Sequence, residues 1–122
     1  FVDALVSALR IMQIVKVSGR TLSELCSDCP TVYQMPENRP DCPDDKKSEI
    51  VRSVTAHFSA DYPVNDLDGV RIDFGEGAWA GVRQSNTSPK LSICIEARSE
   101  EHLKEVETIV FDHMKTYPDI SL

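Results

Sequence analysis

The stretch GVRQSNTSPKLSICIEA, residues 81–97, begins and ends as β-structure but is interrupted by seven residues, RQSNTSP (83–89), that suit a strand interior poorly. After the interruption, Leu91, Ile93, Ile95 and Ala97 alternate with Ser92, Cys94, Glu96 and Arg98, the pattern of a strand with one buried and one open face. Before it, Val70, Ile72 and Phe74 alternate with Arg71 and Asp73, and Gly75-Glu76-Gly77 gives a tight turn into AWAGVR (78–83). Three strands joined by short connections are expected to pair antiparallel. The seven residues then form the connection between the second and third of them.

Working outward, Ser99 caps a final helix with Glu100 and Glu101 in its first turn and Leu103, Val106, Val110 and Met114 on its buried face. On the other side, Pro43 with Asp44 and Asp45 marks a helix start, because proline tolerates a first turn and carboxylates favour the positive helix end. Ile50, Val51, Val54 and Phe58 form its apolar stripe, and Lys46, Lys47, Glu49 and Arg52 are expected in water. Pro63 should end that helix near SADYP. Thr31 to Met35 reads as a further strand, and PENRPDCPDD (36–45) as an exposed loop.

The order β-α-β-β-β-α defines an α+β fold: a four-stranded antiparallel sheet with two helices on one face. A two-helix leader precedes it. Val2, Leu5, Val6, Leu9, Met12 and Val17 share a helical face that Gly19 should end, and TLSE, with Thr21 as N-cap and Glu24 reaching back, opens a short helix with Leu22 and Leu25 inward. The leader is too small to be a domain, and the chain starts at Phe1 inside an amphipathic pattern. Residues 1–29 are therefore expected to be the helical tail and linker of a preceding domain, and residues 30–122 the domain proper.

Apolar residues at 41% and charged residues at 27% are ordinary for a globular chain, which argues against disorder. A net charge of −7 opposes adsorption to nucleic acid or to an anionic membrane, so neither is expected as a partner, and any bound anion needs a local site. No apolar run approaches a membrane span, and Asp3, Arg10 and Lys16 break up the first helix in a way a signal peptide would not. The expected compartment is cytoplasmic. Cys26 and Cys29 have C-x-x-C spacing, with Cys42 as a conceivable third zinc ligand. That pair follows a helix and ends at Pro30, however, so ordinary reduced thiols and no metal site are expected.

The interruption is where chemistry concentrates. Arg83 offers a rigid fork of donors, Ser85 and Thr87 short hydroxyls, and Asn86 an amide, with no acid among the four in an acid-rich chain. This suits an anion cradle, although a solvated turn draws on the same residue types.

In order and context, RQSNTSPKLSICIEA closely resembles the R-x-S-N-T-x-P-x-L segment of the α-D-phosphohexomutase superfamily. The likeness is to the C-terminal domain (domain 4) of the bacterial phosphomannomutase/phosphoglucomutase group, whose fold is TBP-like. DGVRIDFGEGAWAGVR (68–83) is similar to the hairpin leading into that loop, EARSEEHLKEV (96–106) to the helix start after it, and ALVSALRIMQIVKVSGRTLSEL (4–25) to the helical end of the family's third domain. The resemblance implies an isomerase that interconverts hexose 1-phosphate and 6-phosphate through a bisphosphorylated intermediate. It implies a phosphoserine on the first domain, Mg²⁺ held by acidic residues of the second, and a sugar-reading loop on the third, all outside this chain.

Carried onto matching positions, the resemblance makes Arg83, Ser85, Asn86 and Thr87 binders of the non-reacting phosphate, with no catalytic residue here. The implied partners are a mannose or glucose phosphate and the remaining domains of the same chain. Asn86, where phosphoglucosamine mutases have Gly, favours those sugars over glucosamine phosphate. Gln84 replaces a frequent Pro, Ser88 a common Glu, and Ser92 a frequent basic residue.

A competing reading is a stand-alone α+β module that binds a small anion or a partner protein, distinguished by whether Arg83→Ala abolishes mutase activity. His57, His102 and His113 have no acidic partner at catalytic or metal spacing. Phe74 and Trp79 are expected in core or interdomain packing, with sugar stacking as the other option, and Lys90 either adds positive field to the loop or sits in solvent.

Overall fold

A computed structural model describes residues Asp3–Leu122. The expected helical position of Val2 lies outside the described residues. The chain divides into two compact units, Phe1–Thr31 and Val32–Leu122.

In the first unit, α1 (Ala4–Ser18) starts at Asp3, whose carboxylate accepts from the N–H groups of Leu5 and Val6, and it ends at Gly19 with φ +66°. A left-handed residue closing the helix is what glycine permits. α2 (Leu22–Leu25) carries the expected capping box between Thr21 and Glu24. The Thr21 N–H and the Thr21 hydroxyl both donate to the Glu24 carboxylate and hold it below its ordinary range. Leu22 does not turn inward: it is exposed, and no described residue of either helix is buried.

The second unit is the α+β fold, with one strand more than expected. Its elements are β1 (Tyr33–Gln34), α3 (Asp44–Phe58), β2 (Val64–Asn65), β3 (Val70–Gly75), β4 (Ala78–Gln84), β5 (Leu91–Ala97) and α4 (Glu100–Met114). The sheet order is β1-β5-β4-β3-β2, antiparallel throughout. The added strand, β2, is two residues long, too short to show a period of two. Pro63 disfavours helical geometry before it, and Asn65 accepts a bond from the N–H of Leu67 to start the reversal that lays β2 against β3.

One sheet face is apolar. Val70, Ile72, Ala78, Ala80, Val82, Leu91, Ile93, Ile95 and Ala97 are buried on it with Val54 and Phe58 of α3 and Val106, Val110 and Met114 of α4. Arg71, Trp79, Cys94 and Glu96 take the opposite face by strand alternation. Trp79 and Phe74 therefore do not share a surface. Phe74 packs on Phe58 and Tyr62, whereas Trp79 lies beneath the Arg71 guanidinium and donates to Glu96.

PENRPDCPDD is not a free loop. Asn38 and Ile93 exchange backbone bonds of 3.0 and 2.8 Å, the N–H of Leu91 donates to Pro40, and the N–H of Cys42 donates to Pro89. The segment continues β1 along the edge of β5, interrupted because Pro36 and Pro40 have no N–H to give. Cys42 is buried in the core, and burial pushes its thiol pKa up, so it packs as an apolar residue.

Candidate functional site

Arg83 stands at the end of β4 directly across from Ser92 on β5, and the connection from Ser85 to Pro89 rises from this pair. Arg83, Ser85, Asn86 and Thr87 line one open pocket of about 250 Å³, with Glu37, Arg39, Asp68, Gln84 and Ser92 completing its wall. The structure thus brings together all four residues singled out in the sequence. A larger depression of about 530 Å³ lies between α3 and the β2–β3 turn. Arg52 is its sole cation, and of RQSNTSP only Gln84 reaches it.

What shapes the loop comes from elsewhere in the chain. Lys47 on α3 is only 7% exposed, and its ammonium donates to Ser85 O at 2.6 Å and Ser88 O at 3.0 Å while pairing with Asp44 at 2.6 Å. Three N–H donors meet three acceptors, so the group is satisfied and the loop carbonyls are turned away from the pocket toward the helix. This corrects the expectation that Lys47 is in water. The signal was present in the sequence: positions 47, 51, 54 and 58 fall on one helical stripe.

Within the loop, the N–H of Ser85 donates to Lys90 O at 2.9 Å and that of Lys90 to Ser88 O at 2.8 Å. The Ser85 and Ser88 hydroxyls are 2.9 Å apart, and the Thr87 N–H points at Ser85 Oγ at 3.4 Å. Gln84 turns to the helix side, where its carbonyl oxygen accepts from Ser48 at 3.1 Å. Ser92, only 4% exposed, donates to Glu37. Lys90 pairs with Asp41 at 2.6 Å, so part of its charge is already neutralised.

Two acids reach the pocket and both are engaged, Glu37 by Ser92 and Asp68 by Arg83 at 3.7 Å. Asp68 is placed by the turn that follows it. Gly69 has φ +77°, and a Cβ there would sit 2.5 Å from Val82 O and 2.7 Å from the Arg83 Cβ, so only glycine lets the turn lie against the start of the cradle. Guanidinium, hydroxyl and amide donors around a small open pocket, with no histidine or cysteine in its wall, form an arrangement for holding an anion.

Sequence reasoning missed Arg39, whose Nη2 lies 3.4 Å from Ser85 Oγ. The pairing of Asn38 with Ile93 and of Pro40 with Leu91 brings it to the loop, and nothing local announces that pairing. It also missed the stacking of His57 on His113, whose ring centroids are 3.8 Å apart. Burial, reinforced by His57, lowers the His113 pKa. Among the described residues no three His, Cys, Asp or Glu side chains converge to hold a metal ion, and Cys26 and Cys29 are exposed free thiols. Among the same residues no helix is long and apolar enough to cross a membrane.

The fold is an α+β domain carrying a donor-lined pocket, and comparison with known proteins gives it a family. Residues 37–113 match the model of the phosphoglucomutase/phosphomannomutase C-terminal domain. A probable phosphoglucosamine mutase of Methanothermobacter thermautotrophicus is 37% identical over 108 residues, covering 85% of this chain and 24% of that protein. The phosphomannomutase/phosphoglucomutase of Pseudomonas aeruginosa is 31% identical over 116 residues, 94% of this chain and 25% of that protein. A crystal structure of a phosphoglucomutase/phosphomannomutase family protein from Burkholderia thailandensis superposes with a TM-score of 0.71 at 22% identity, over 95% of this chain and 24% of that one.

The chain belongs to the phosphoglucomutase/phosphomannomutase C-terminal domain family. It spans about a quarter of the length of the relatives it matches.

Proposed function

We propose that this domain serves a phosphosugar mutase, an isomerase that interconverts hexose 1-phosphate and 6-phosphate, by gripping the phosphate that is not reacting. The observation that carries the reading is the convergence of Arg83, Ser85, Asn86 and Thr87, in the order R-x-S-N-T, on one donor-lined pocket. A cradle that contacts phosphate and ignores most of the sugar ring serves both orientations of a bisphosphorylated intermediate that must turn over. Holding the distal phosphate orients the substrate, and such remote binding is expressed as rate at the reacting centre.

Proton and phosphoryl transfer on this reading belong to segments outside the chain, as does magnesium. Among the described residues no cluster of acids, histidines or cysteines suits the metal. The matched relatives include both phosphoglucosamine and phosphomannose/phosphoglucose mutases, so the preference for mannose and glucose phosphates rests on Asn86.

Arg83→Ala in the full-length enzyme tests the proposal. Loss of a bidentate phosphate contact worth roughly 2–3 kcal/mol should lower kcat/KM by roughly 30- to 150-fold with the fold intact. A normal rate in that variant would remove the reading.

A further inference from the structure

The pocket has a second guanidinium. Arg39 lies between two residues tied to β5, since Asn38 exchanges backbone bonds with Ile93 and Pro40 O accepts from the N–H of Leu91. Its backbone is therefore held at the sheet edge, and its side chain reaches the loop with Nη2 at 3.4 Å from Ser85 Oγ. That is the one hydrogen bond its guanidinium makes among the described residues.

The charges around the loop are not equivalent. Arg83 faces Asp68, Lys47 faces Asp44 and Lys90 faces Asp41, each within 4.0 Å. Arg39 has no carboxylate within that distance among the described residues, and the nearby Glu37 is hydrogen-bonded to Ser92. Of the four cations, Arg39 is the one with no carboxylate in direct contact among the described residues, and the charged Glu37 in the same wall is its nearest competitor in sequence.

Resting on the phosphate-gripping reading of the same pocket, we infer that Arg39 is a second arm of the cradle and selects dianionic phosphate monoesters over monoanionic diesters. A monoester presents three free oxygens and two charges, enough to occupy two forks approaching from different elements. A diester presents two oxygens and one charge, which a single fork satisfies. Because the Arg39 backbone is fixed by sheet pairing, its contact loses less conformational freedom than one from a free loop would.

The test is an NMR titration of the chain at constant ionic strength and about pH 8, where a phosphate monoester is fully ionised. Methyl phosphate and dimethyl phosphate are the probes. Methyl phosphate is expected to shift the Arg83–Thr87 amides of the wild type. Arg39→Ala should weaken that binding about three- to tenfold, leave dimethyl phosphate within about twofold, and keep the amide spectrum elsewhere unchanged. Arg39→Lys should recover part of the affinity but not the preference between probes.

Wild-type binding that Arg39→Ala leaves unchanged, or weakens equally for both probes, would overturn the inference while leaving the cradle in place. If neither probe shifts the wild-type loop at tens of millimolar, the phosphate-gripping reading itself fails, and the role of Arg39 with it.

Discussion

β4 is joined to its two neighbours by connections built on opposite plans. The β3–β4 turn is made by its own backbone: Gly75 and Gly77 have φ +83° and +77°, Glu76 has φ +50°, and Asp73 bonds the N–H of Gly75. The β4–β5 loop contains no glycine and takes its shape from Lys47 on α3 and from the segment around Cys42, far away in sequence. A turn that writes its own conformation can sit anywhere on a sheet. A loop held from several sides keeps its donors aimed before a ligand arrives, as an oriented binding site requires.

The largest test of this contrast is Lys47→Ala. Removing the ammonium leaves two loop carbonyls without their buried donor, and about 2–4 kcal/mol of stability should go with it. Urea denaturation measures the loss, and amide shifts should spread through Ser85–Lys90 while the Gly75–Gly77 turn stays put. Unchanged stability with an unchanged loop would mean that the loop, too, writes its own shape.

Gly77→Ala attacks the other plan. A side chain at φ +77° is strained, and its Cβ would lie 2.8 Å from the movable Arg98 side chain, so a loss of about 1 kcal/mol is expected in the same urea assay. Methyl phosphate affinity should be untouched, because the turn contributes nothing to the cradle.

Asp68→Asn sharpens the comparison from the ligand's side. The Arg83–Asp68 pair is largely exposed, and surface pairs are worth about 0.2–1 kcal/mol. Relieving Arg83 of its carboxylate should therefore tighten methyl phosphate binding by up to about fivefold in the titration. Weaker binding would show that Asp68 aims Arg83 instead of competing for it.

The smallest effect on either connection is expected from mild acid. Because the His113 pKa is lowered in the folded protein, the unfolded chain takes up the proton first as pH falls below the ordinary value of 6.5. Thermal stability should drop through that range, and His113→Gln should flatten the slope, with amide positions in both loops unchanged. A slope that survives in His113→Gln would place its origin elsewhere.

The same contrast explains what the sequence could reveal. The β3–β4 turn was legible because GEG carries its cause within three residues, and β3, β5, α3 and α4 because each repeats a period long enough to recognise. Arg83, Ser85, Asn86 and Thr87 were legible as a set because they are nearly contiguous. Arg39 was not, since its place depends on Asn38 meeting Ile93 across 55 residues. Nor was the His57–His113 stack, which joins the ends of two helices that are separate in the chain. Lys47 was misplaced for another reason. Its charge suggested water, while its spacing with Val51, Val54 and Phe58 indicated the interior, and three acceptors made the interior tolerable.

Asp68 has one more consequence. A carboxylate fixed on the neighbouring turn is a competitor that never diffuses away, so an arriving phosphate exchanges with it and a departing one hands Arg83 back to it. On the proposed reading this favours turnover over tenacity, since letting go of the ligand does not strand a bare guanidinium. A sugar that must leave the cradle by one phosphate and return by the other gains more from quick release than from a tight grip.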